Sequence, residues 1–274
     1  MTEAEPSTGG PGAAAATAAG AGMGALGALL LADARLPTGG HAHSATLEGA
    51  VAAGLDAKGV PAYIEARLRT VARTEAAAAV LVLRTAREAQ GDAETAAGDA
   101  SGCVGGNGGG TPDGSAIDYG PVQAALAART PSAPLREASA SLGRGLARLA
   151  RRLRGDHPAV LALPSASAPT PGLRPMRPVV LGVLGAALDM CEEQVARAVL
   201  YDDAQTVTSA ALKLLPGDPA TAVEWVLDVH DALEESVAAA LAVTGADRLP
   251  ACSAPLIDQW AGAHAHSTRR LFHA

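Results

Sequence analysis

The tetrapeptide His-Ala-His-Ser occurs twice in the chain, at residues 41–44 and 264–267, and the two copies hold four of the seven histidines. Imidazole nitrogens bind zinc or nickel, so these histidines are the first candidates for chemistry. Side chains at positions i and i+2 diverge by about 200° in a helix and face opposite ways in a strand, so one pair chelates a metal only from an irregular loop. If the two segments met in space, they would supply four nitrogens, from His41, His43, His264 and His266.

Neither tetrapeptide has a carboxylate or a cysteine at a spacing that would complete a metal site of its own. Histidines that face solvent or cap a helix are the commoner outcome for such pairs, so we expect no permanently bound metal. The alternative is a helical metalloprotein that uses both segments as nickel or zinc ligands. It predicts stoichiometric metal in the isolated protein and activity without partners.

The composition indicates what kind of fold must position these residues. Of the 274 residues, 49% are hydrophobic and only 2% are aromatic, so alanine, leucine and valine must build the core. Small side chains let helices approach closely, and no segment shows sustained strand alternation. The sequence therefore predicts an all-α, single-domain helical bundle.

Charge and cysteine usage exclude several classes of function. The formal net charge is −7 with no basic run along the body, which gives no electrostatic footprint for nucleic acid. The three cysteines, Cys103, Cys191 and Cys252, form no CxxC pair and indicate a reducing compartment, so we expect the cytoplasm. Apolar runs such as 179–188 are about half the length that a bilayer requires, so we expect no membrane partner.

Low-complexity stretches divide the chain. We expect a disordered tail over 1–22, a helical domain over 23–274, a disordered Gly-rich insertion at 91–120 and a Pro-rich connection at 155–178. Apolar periodicity between these stretches predicts helices over 60–88, 134–154, 178–188, from a cap at Asp189 through Leu212, and from a cap at Asp218 to about 244.

The sequence also predicts which faces of these helices are buried. In 60–88, Ile64 and Leu68 mark the apolar face and Arg67 falls largely off it. In the last predicted helix, one apolar stripe runs from Val223 and Leu227 through to Leu233. The segment 178–188 is apolar all round and should be central to the core.

The first tetrapeptide lies within LPTGGHAHSATLEGAV, residues 36–51. Pro37 favours a turn, Gly39 and Gly40 permit backbone conformations that other residues avoid, and Ser44 can cap a helix that carries Glu48. The pattern predicts a rigid loop that leads into a helix.

The second tetrapeptide leads into the C-terminal sequence HSTRRLFHA. A terminus frays unless it docks, and this one offers Leu271 and Phe272 as apolar anchors beside Arg269 and Arg270 as charged donors. Two interpretations stay open: the tail folds onto a partner, or it packs on its own domain.

Catalytic signatures are absent from the sequence. It contains no GxSxG, HExxH or GxxxxGK[ST], so we expect no enzymatic activity. Glu75 and the acidic and histidine positions of the later helices are typical of solvated helix faces; the latter are Asp202, Asp203, Asp228, His230, Asp231, Glu234 and Glu235.

Residues 29–55, LLLADARLPTGGHAHSATLEGAVAAGL, resemble the N-terminal signature of the UreF family of urease accessory proteins. His43, Ser44, Leu47 and Glu48 occupy family positions, whereas His41 stands where the family usually has an aromatic residue. Leu135-Arg136 with Gly143, the stretch 179–215, and the end SAPLIDQWAGAHAHSTRRLF at 253–272 are similar to further family segments.

The resemblance implies a nickel-insertion chaperone. Such a protein would be an all-helical homodimer that binds the accessory protein UreD, called UreH in some organisms, and recruits the GTPase UreG to apo-urease. Nickel would pass through the complex, held chiefly by the partners. The implied partner-binding residues are Leu36, Pro37, Gly39, Gly40, His43, Ser44, Glu48, His264, Arg269, Arg270, Leu271 and Phe272.

Overall fold

The structure is a computed structural model, and it describes residues 22–33, 35–99, 117–164, 174–252 and 254–272. Every regular element in these ranges is an α-helix or a short 3₁₀ helix, which confirms the all-helical fold. The predicted tail lies outside the described residues except for residue 22, which already belongs to a helix. Residues 100–116 of the predicted insertion and 165–173 of the Pro-rich connection also lie outside them.

The helices are numbered here in chain order. They are α1 (22–31), α2 (Leu47–Ala52), α3 (Val60–Arg69), α4 (Val71–Asp99), α5 (Gly120–Ala128), α6 (Ala133–Arg154), α7 (Pro158–Leu161), α8 (Arg177–Ala187), α9 (Glu192–Leu214), α10 (Pro219–Asp228), α11 (His230–Leu241) and α12 (Pro255–Ala265). Short 3₁₀ helices occur at Gly40–Ala42, Ala57–Gly59 and Ala246–Arg248. Among the described helices, none combines the length and the apolar character that a membrane span requires.

Helix α8 lies at the centre of the bundle, as its uniformly apolar sequence predicted. All of its residues are buried, and it packs mainly against α4 and α6. A Cβ atom added at Gly182 would lie 2.4 Å from the carbonyl oxygen of Ala79 in α4, closer than any side chain tolerates. The small residues of the core therefore set how closely these two helices approach.

Two predicted helix boundaries are wrong. The segment 60–88 is not one helix, because Thr70 leaves the helical conformation with φ −123° and ψ −93°, and α4 begins after it. Helix α4 then continues to Asp99, so the insertion predicted from residue 91 begins too early. Residues 93–99, AETAAGD, contain three alanines and one glutamate, which are strong helix formers.

The predicted cap at Asp189 is also wrong, whereas the one at Asp218 is confirmed. Asp189 has φ 55° and belongs to the turn after α8, and Cys191 caps α9 through a reciprocal pairing with Gln194. Asp218 Oδ1 accepts a hydrogen bond from the backbone N–H of Ala220 at 3.0 Å, and Pro219 is the first helical residue. An N-cap of this kind contributes about 0.5–2 kcal/mol.

The last long helix predicted from the sequence is two helices, α10 and α11, separated at Val229. Because of this break, the predicted apolar stripe does not continue from α10 into α11. Leu233 in α11 is buried, but Val223 and Leu227 in α10 are 63% and 69% exposed.

Candidate functional site

Residues 36–46 form a loop between the ends of α1 and α2. Gly39 has φ 88°, which confirms that this position uses the conformational freedom of glycine, and Gly40 lies in a 3₁₀ turn. Ala45 and Thr46 also have positive φ, 49° and 68°, a conformation that costs on the order of 1–3 kcal/mol for each residue. Neighbouring side chains must therefore hold this end of the loop in place.

Tyr63 and Arg67 of α3 provide that support. The Tyr63 hydroxyl donates to the carbonyl oxygen of Ala45 at 2.7 Å, and Arg67 Nη1 donates to the same oxygen at 3.1 Å. Burial raises the pKa of Tyr63 to about 12, so the hydroxyl keeps its proton at neutral pH and remains a donor. The strained end of the loop is thus tied to α3.

Arg67 itself is fixed by a buried ion pair with Asp203 of α9. Its Nε and Nη2 atoms donate to the two carboxylate oxygens at 2.9 and 2.6 Å, and the side chains are 6% and 4% exposed. Burial works against the charge of Arg67, but the adjacent Asp203 more than compensates and raises the pKa of Arg67 overall. The sequence-based placement of Arg67 off the buried face and of Asp203 on a solvated face was wrong.

A second buried arginine lies nearby. Arg177 of α8 donates to Glu75 Oε2 and to Asp202 Oδ2, both at 2.5 Å. The Glu75 side chain is only 15% exposed, which corrects the expectation that it faces solvent. Burial raises the pKa of Glu75, and the neighbouring Arg177 opposes that shift. Two arginines and three carboxylates therefore form a charged cluster beneath the loop.

Helix α2 places Glu48 beside the C-terminal segment of the chain. It packs closely on α12. A Cβ atom added at Gly49 would lie only 2.8 Å from the carbonyl oxygen of Trp260, so glycine is needed at this contact. The N-cap residue of α2 is Thr46 and not the predicted Ser44, although Ser44 Oγ accepts a hydrogen bond from the Glu48 backbone N–H at 3.4 Å. This packing places the Glu48 side chain against His264.

Glu48 joins the predicted loop to the predicted tail. One carboxylate oxygen, Oε2, accepts from His264 Nε2 at 2.8 Å and from the Phe272 backbone N–H at 2.9 Å. The other, Oε1, accepts from the Leu271 backbone N–H at 2.6 Å. Hydrogen bonds to a charged group contribute about 1.5–3 kcal/mol each. We call this set of four residues, Glu48, His264, Leu271 and Phe272, the Glu48 junction.

The junction keeps Glu48 ionised. Its side chain is 14% exposed, and burial alone would favour the neutral acid. The backbone N–H groups of Leu271 and Phe272, together with His264, outweigh burial and lower the pKa of Glu48 below its ordinary value of 4.5. The carboxylate is therefore a charged acceptor at neutral pH.

The tail packs on its own domain, one of the two interpretations left open by the sequence. Phe272 is 4% exposed, and the Lys213 ammonium group lies 5.1 Å from the centre of its ring. Leu271, the residue before it, is 63% exposed. The two apolar residues of the tail thus point to different environments.

Comparison with known proteins bears on what this junction serves. The family model of UreF matches residues 54–230. The urease accessory protein UreF of Mycolicibacterium vanbaalenii is 33% identical over 246 residues, which cover 89% of this chain and 96% of that protein. The UreF proteins of Mycobacterium sp. strain JLS and of Mycobacterium marinum are 33% and 32% identical over nearly the same length.

This chain belongs to the UreF family. A role in urease maturation follows from that membership. The UreF family model includes Arg67 and Asp203 but neither Glu48 nor the tail, which lie outside residues 54–230. Any role proposed for the loop and the tail must therefore be argued from the contacts that these two segments make in the structure.

The histidines of this UreF-family protein do not share one centre. His41 is exposed, and its carbonyl oxygen accepts from Lys213 at 3.4 Å. His264 is bonded to Glu48, and His266 Nδ1 donates to the carbonyl oxygen of Gly262 at 2.8 Å. Within the described ranges, no group of three or more histidine, cysteine, aspartate or glutamate residues is arranged to hold a metal ion.

The loop, α6, α9 and the tail enclose a cavity of about 350 Å³. The charged cluster lies on one side of it and leucines such as Leu142 and Leu146 on another, with Phe272 also in the lining. A second cavity of about 450 Å³ is lined by His43 and His264, between the loop, α6 and α12. The two tetrapeptides therefore meet around one space, although they do not form a metal cluster.

Sequence reasoning missed Arg67, Arg177 and Lys213. A signal existed for Arg67, which follows Ile64 by three residues and so lies near the buried stripe of α3. Its partner Asp203 follows the buried Val199 by four residues. A charged residue on each of two buried stripes was the available sign of a buried ion pair.

Proposed function

We propose that this UreF-family protein is a scaffold that bridges the accessory protein UreD, or UreH, and the GTPase UreG while nickel is delivered to apo-urease. The observation that carries the proposal is the Glu48 junction. It joins α2, which directly follows the loop, to the tail 264–272, so that the two predicted partner-binding segments are held close to each other.

The exposed part of these segments is suited to protein contacts. Pro37 in the loop and Arg269, Arg270 and Leu271 in the tail are exposed, so apolar and basic groups occur together. Interfaces commonly combine apolar anchors with arginine donors. The other predicted residues of the loop are less exposed than Pro37; they are Gly39, Gly40, His43 and Ser44. Leu36 packs against the core.

In this proposal the protein performs no bond-breaking step, and GTP hydrolysis belongs to UreG. Nickel is cargo that passes through the complex and is held chiefly by the partners, with His41, His43, His264 and His266 as transient contacts at most. The protein acts as a homodimer in the cytoplasm, and binds neither nucleic acid nor membrane. Light scattering of the purified protein measures the oligomeric state.

Co-purification with UreD and UreG tests the proposal, using the full chain and a variant that lacks residues 264–274. The truncated protein should lose both associations and fail to support urease activation. Its far-UV circular dichroism and melting curve must show that the helical domain is still folded. If the folded, truncated protein retains every association and full urease maturation, the proposed role of the tail is wrong.

Nickel titration separates the scaffold from a metalloprotein. The scaffold predicts no stoichiometric site, so changing His41, His43, His264 and His266 to alanine should leave the titration curve unchanged. Tight binding of one nickel ion that these substitutions abolish would contradict this part of the proposal.

A further inference from the structure

Two helices of the protein begin with the same arrangement of residues but with different capping groups. The sequence is HPA at 157–159, where α7 begins, and DPA at 218–220, where α10 begins. In each, the first side chain accepts a hydrogen bond from the backbone N–H of the alanine, at 3.2 Å for His157 Nδ1 and 3.0 Å for Asp218 Oδ1. A carboxylate oxygen remains an acceptor in weakly acidic solution, whereas an imidazole nitrogen accepts only while it carries no proton. The two caps should therefore respond differently to acidification.

Both ring nitrogens of His157 have a partner. Because Nδ1 accepts from Ala159, the neutral ring carries its proton on Nε2. That nitrogen lies 3.2 Å from the amide nitrogen of the Gln90 side chain in α4, and a half-turn of this amide presents its oxygen as the acceptor. A second proton would have to bind Nδ1, where it would face the N–H of Ala159. Protonation of His157 and the cap of α7 are therefore mutually exclusive.

The surroundings of His157 favour the neutral ring. Burial opposes the imidazolium most strongly, and Arg154 at the end of α6 also repels it. Asp189 in the turn after α8 and Asp156 in the turn before His157 attract it. Gln90, which faces the ring from α4, is uncharged, and α7 itself carries no titratable side chain. The pKa of His157 is consequently below its ordinary value of 6.5, so the cap is intact at neutral pH.

The helix that His157 caps is a single turn. Helix α7 has four residues and packs on α6 and α8, with Ala159 and Val160 buried. The Tyr119 hydroxyl of α5 donates to the carbonyl oxygen of Ala159 at 3.0 Å, and burial raises the pKa of Tyr119, so this donor is uncharged. A single turn has few hydrogen bonds of its own, so one cap is a larger share of its stability than in the ten-residue α10.

We propose that His157 is a pH-sensitive N-cap: the neutral ring holds α7 in its helical turn, and protonation of the ring releases residues 158–163. This segment begins the connection between α6 and α8. Its far end stays attached, because Arg151 Nη2 of α6 donates to the carbonyl oxygen of Pro164 at 2.9 Å. The device requires no partner protein, so its test is independent of the proposed function.

Amide hydrogen exchange of the full-length protein at about pH 7.5 and about pH 5 tests the proposal. Each rate is divided by the intrinsic rate of an unstructured amide at the same pH, which gives a protection factor. Residues 159–163 should lose protection about fivefold or more at the lower pH, the effect of losing an N-cap. Residues 220–222 of the same molecule should keep theirs, because a carboxylate caps α10.

Substitutions of His157 separate titration from capping. Asparagine caps a helix and does not titrate, so His157→Asn should give residues 159–163 the same protection at both pH values. Alanine cannot cap, so His157→Ala should give low protection at both. Asp218→Asn is the matched control at the other cap, and it should leave the pH response of residues 159–163 as in the wild type.

Three outcomes would overturn the proposal. Residues 159–163 of the wild type might keep full protection at about pH 5, which would show that protonation does not release them. If His157→Asn lost protection on acidification as the wild type does, another group would be responsible. An NMR titration of the His157 ring gives the third: its midpoint should lie below 6.5 and coincide with the loss of protection, and two separate midpoints would contradict the coupling.

Discussion

Breaking the buried ion pair between Arg67 and Asp203 should destabilise the fold far more than breaking the surface pair between Arg197 and Glu234. Both pairs join two guanidinium nitrogens to two carboxylate oxygens, at 2.9 and 2.6 Å in the first and 2.7 Å twice in the second. They differ in exposure: 6% and 4% against 47% and 35%. The comparison therefore isolates the effect of burial.

The expected magnitudes follow from that difference. Asp203→Asn leaves a buried guanidinium with an incomplete set of acceptors, which costs about 3–5 kcal/mol. The Ala45 carbonyl oxygen and the remaining amide oxygen still accept from Arg67, so we expect the lower end, about 3 kcal/mol. Glu234→Gln removes a solvent-screened pair and should cost about 0–1 kcal/mol.

Urea unfolding at pH 7, followed by circular dichroism, measures both variants. The double variant Arg67→Met/Asp203→Leu supplies a further control, because replacing a buried pair by apolar residues is often neutral or stabilising. It should recover most of the stability while the loop loses the contact between Arg67 and Ala45. Faster amide exchange at residues 43–47 would report that loss. If Asp203→Asn and Glu234→Gln differ by less than about 1 kcal/mol, the reasoning about burial is refuted.

Three further predictions concern single positions. Gly182→Ala should destabilise the protein by about 1–3 kcal/mol, because the added methyl group meets the α4 backbone; a melting temperature equal to that of the wild type would contradict the packing. Asp218→Ala should cost about 0.5–2 kcal/mol in urea unfolding and leave partner capture unchanged, and a loss of capture would show that α10 belongs to the interface. Glu48 has a pKa in the folded state below its ordinary 4.5, so its stabilising contribution is present above pH 4.5 and is lost as the pH falls through the lowered value. The difference in unfolding free energy between wild type and Glu48→Gln should therefore shrink as the pH falls below 4.5; a difference that grows as the pH falls below 4.5 would contradict this sign.

Helix α6 and the start of α10 show which parts of the fold were predictable from the sequence. The leucine spacing of 134–154 predicted a helix that the structure has at Ala133–Arg154, and the pair Asp218 and Pro219 located the start of α10. Both signals are local, since a 3.6-residue period and an N-cap involve residues within a few positions of one another. Neither depends on what the helix packs against.

The breaks at Thr70 and Val229 were not predictable in the same way. The apolar periodicity passes through both positions, and neither is a glycine or a proline that would stop a helix. Helices α3 and α4 share α9 and α11 as neighbours, but α4 packs most extensively against α8; α10 and α11 share α9 and α3, but α11 also packs extensively against α4. Tertiary contacts override local propensity at such points.

The sequence by itself determined the helical class, the glycine turn at Gly39 and the family to which the two ends of the chain are similar. Only the tertiary structure decided that Glu48 accepts the amides of Leu271 and Phe272, that Arg67 meets Asp203, and that the tail faces inward at one residue and outward at the next. Sequence patterns that extend over only a few residues indicate the local backbone conformation. The partner of a buried charge depends on which distant segments pack together, and composition that is rich in alanine leaves many such arrangements equally compatible with the pattern.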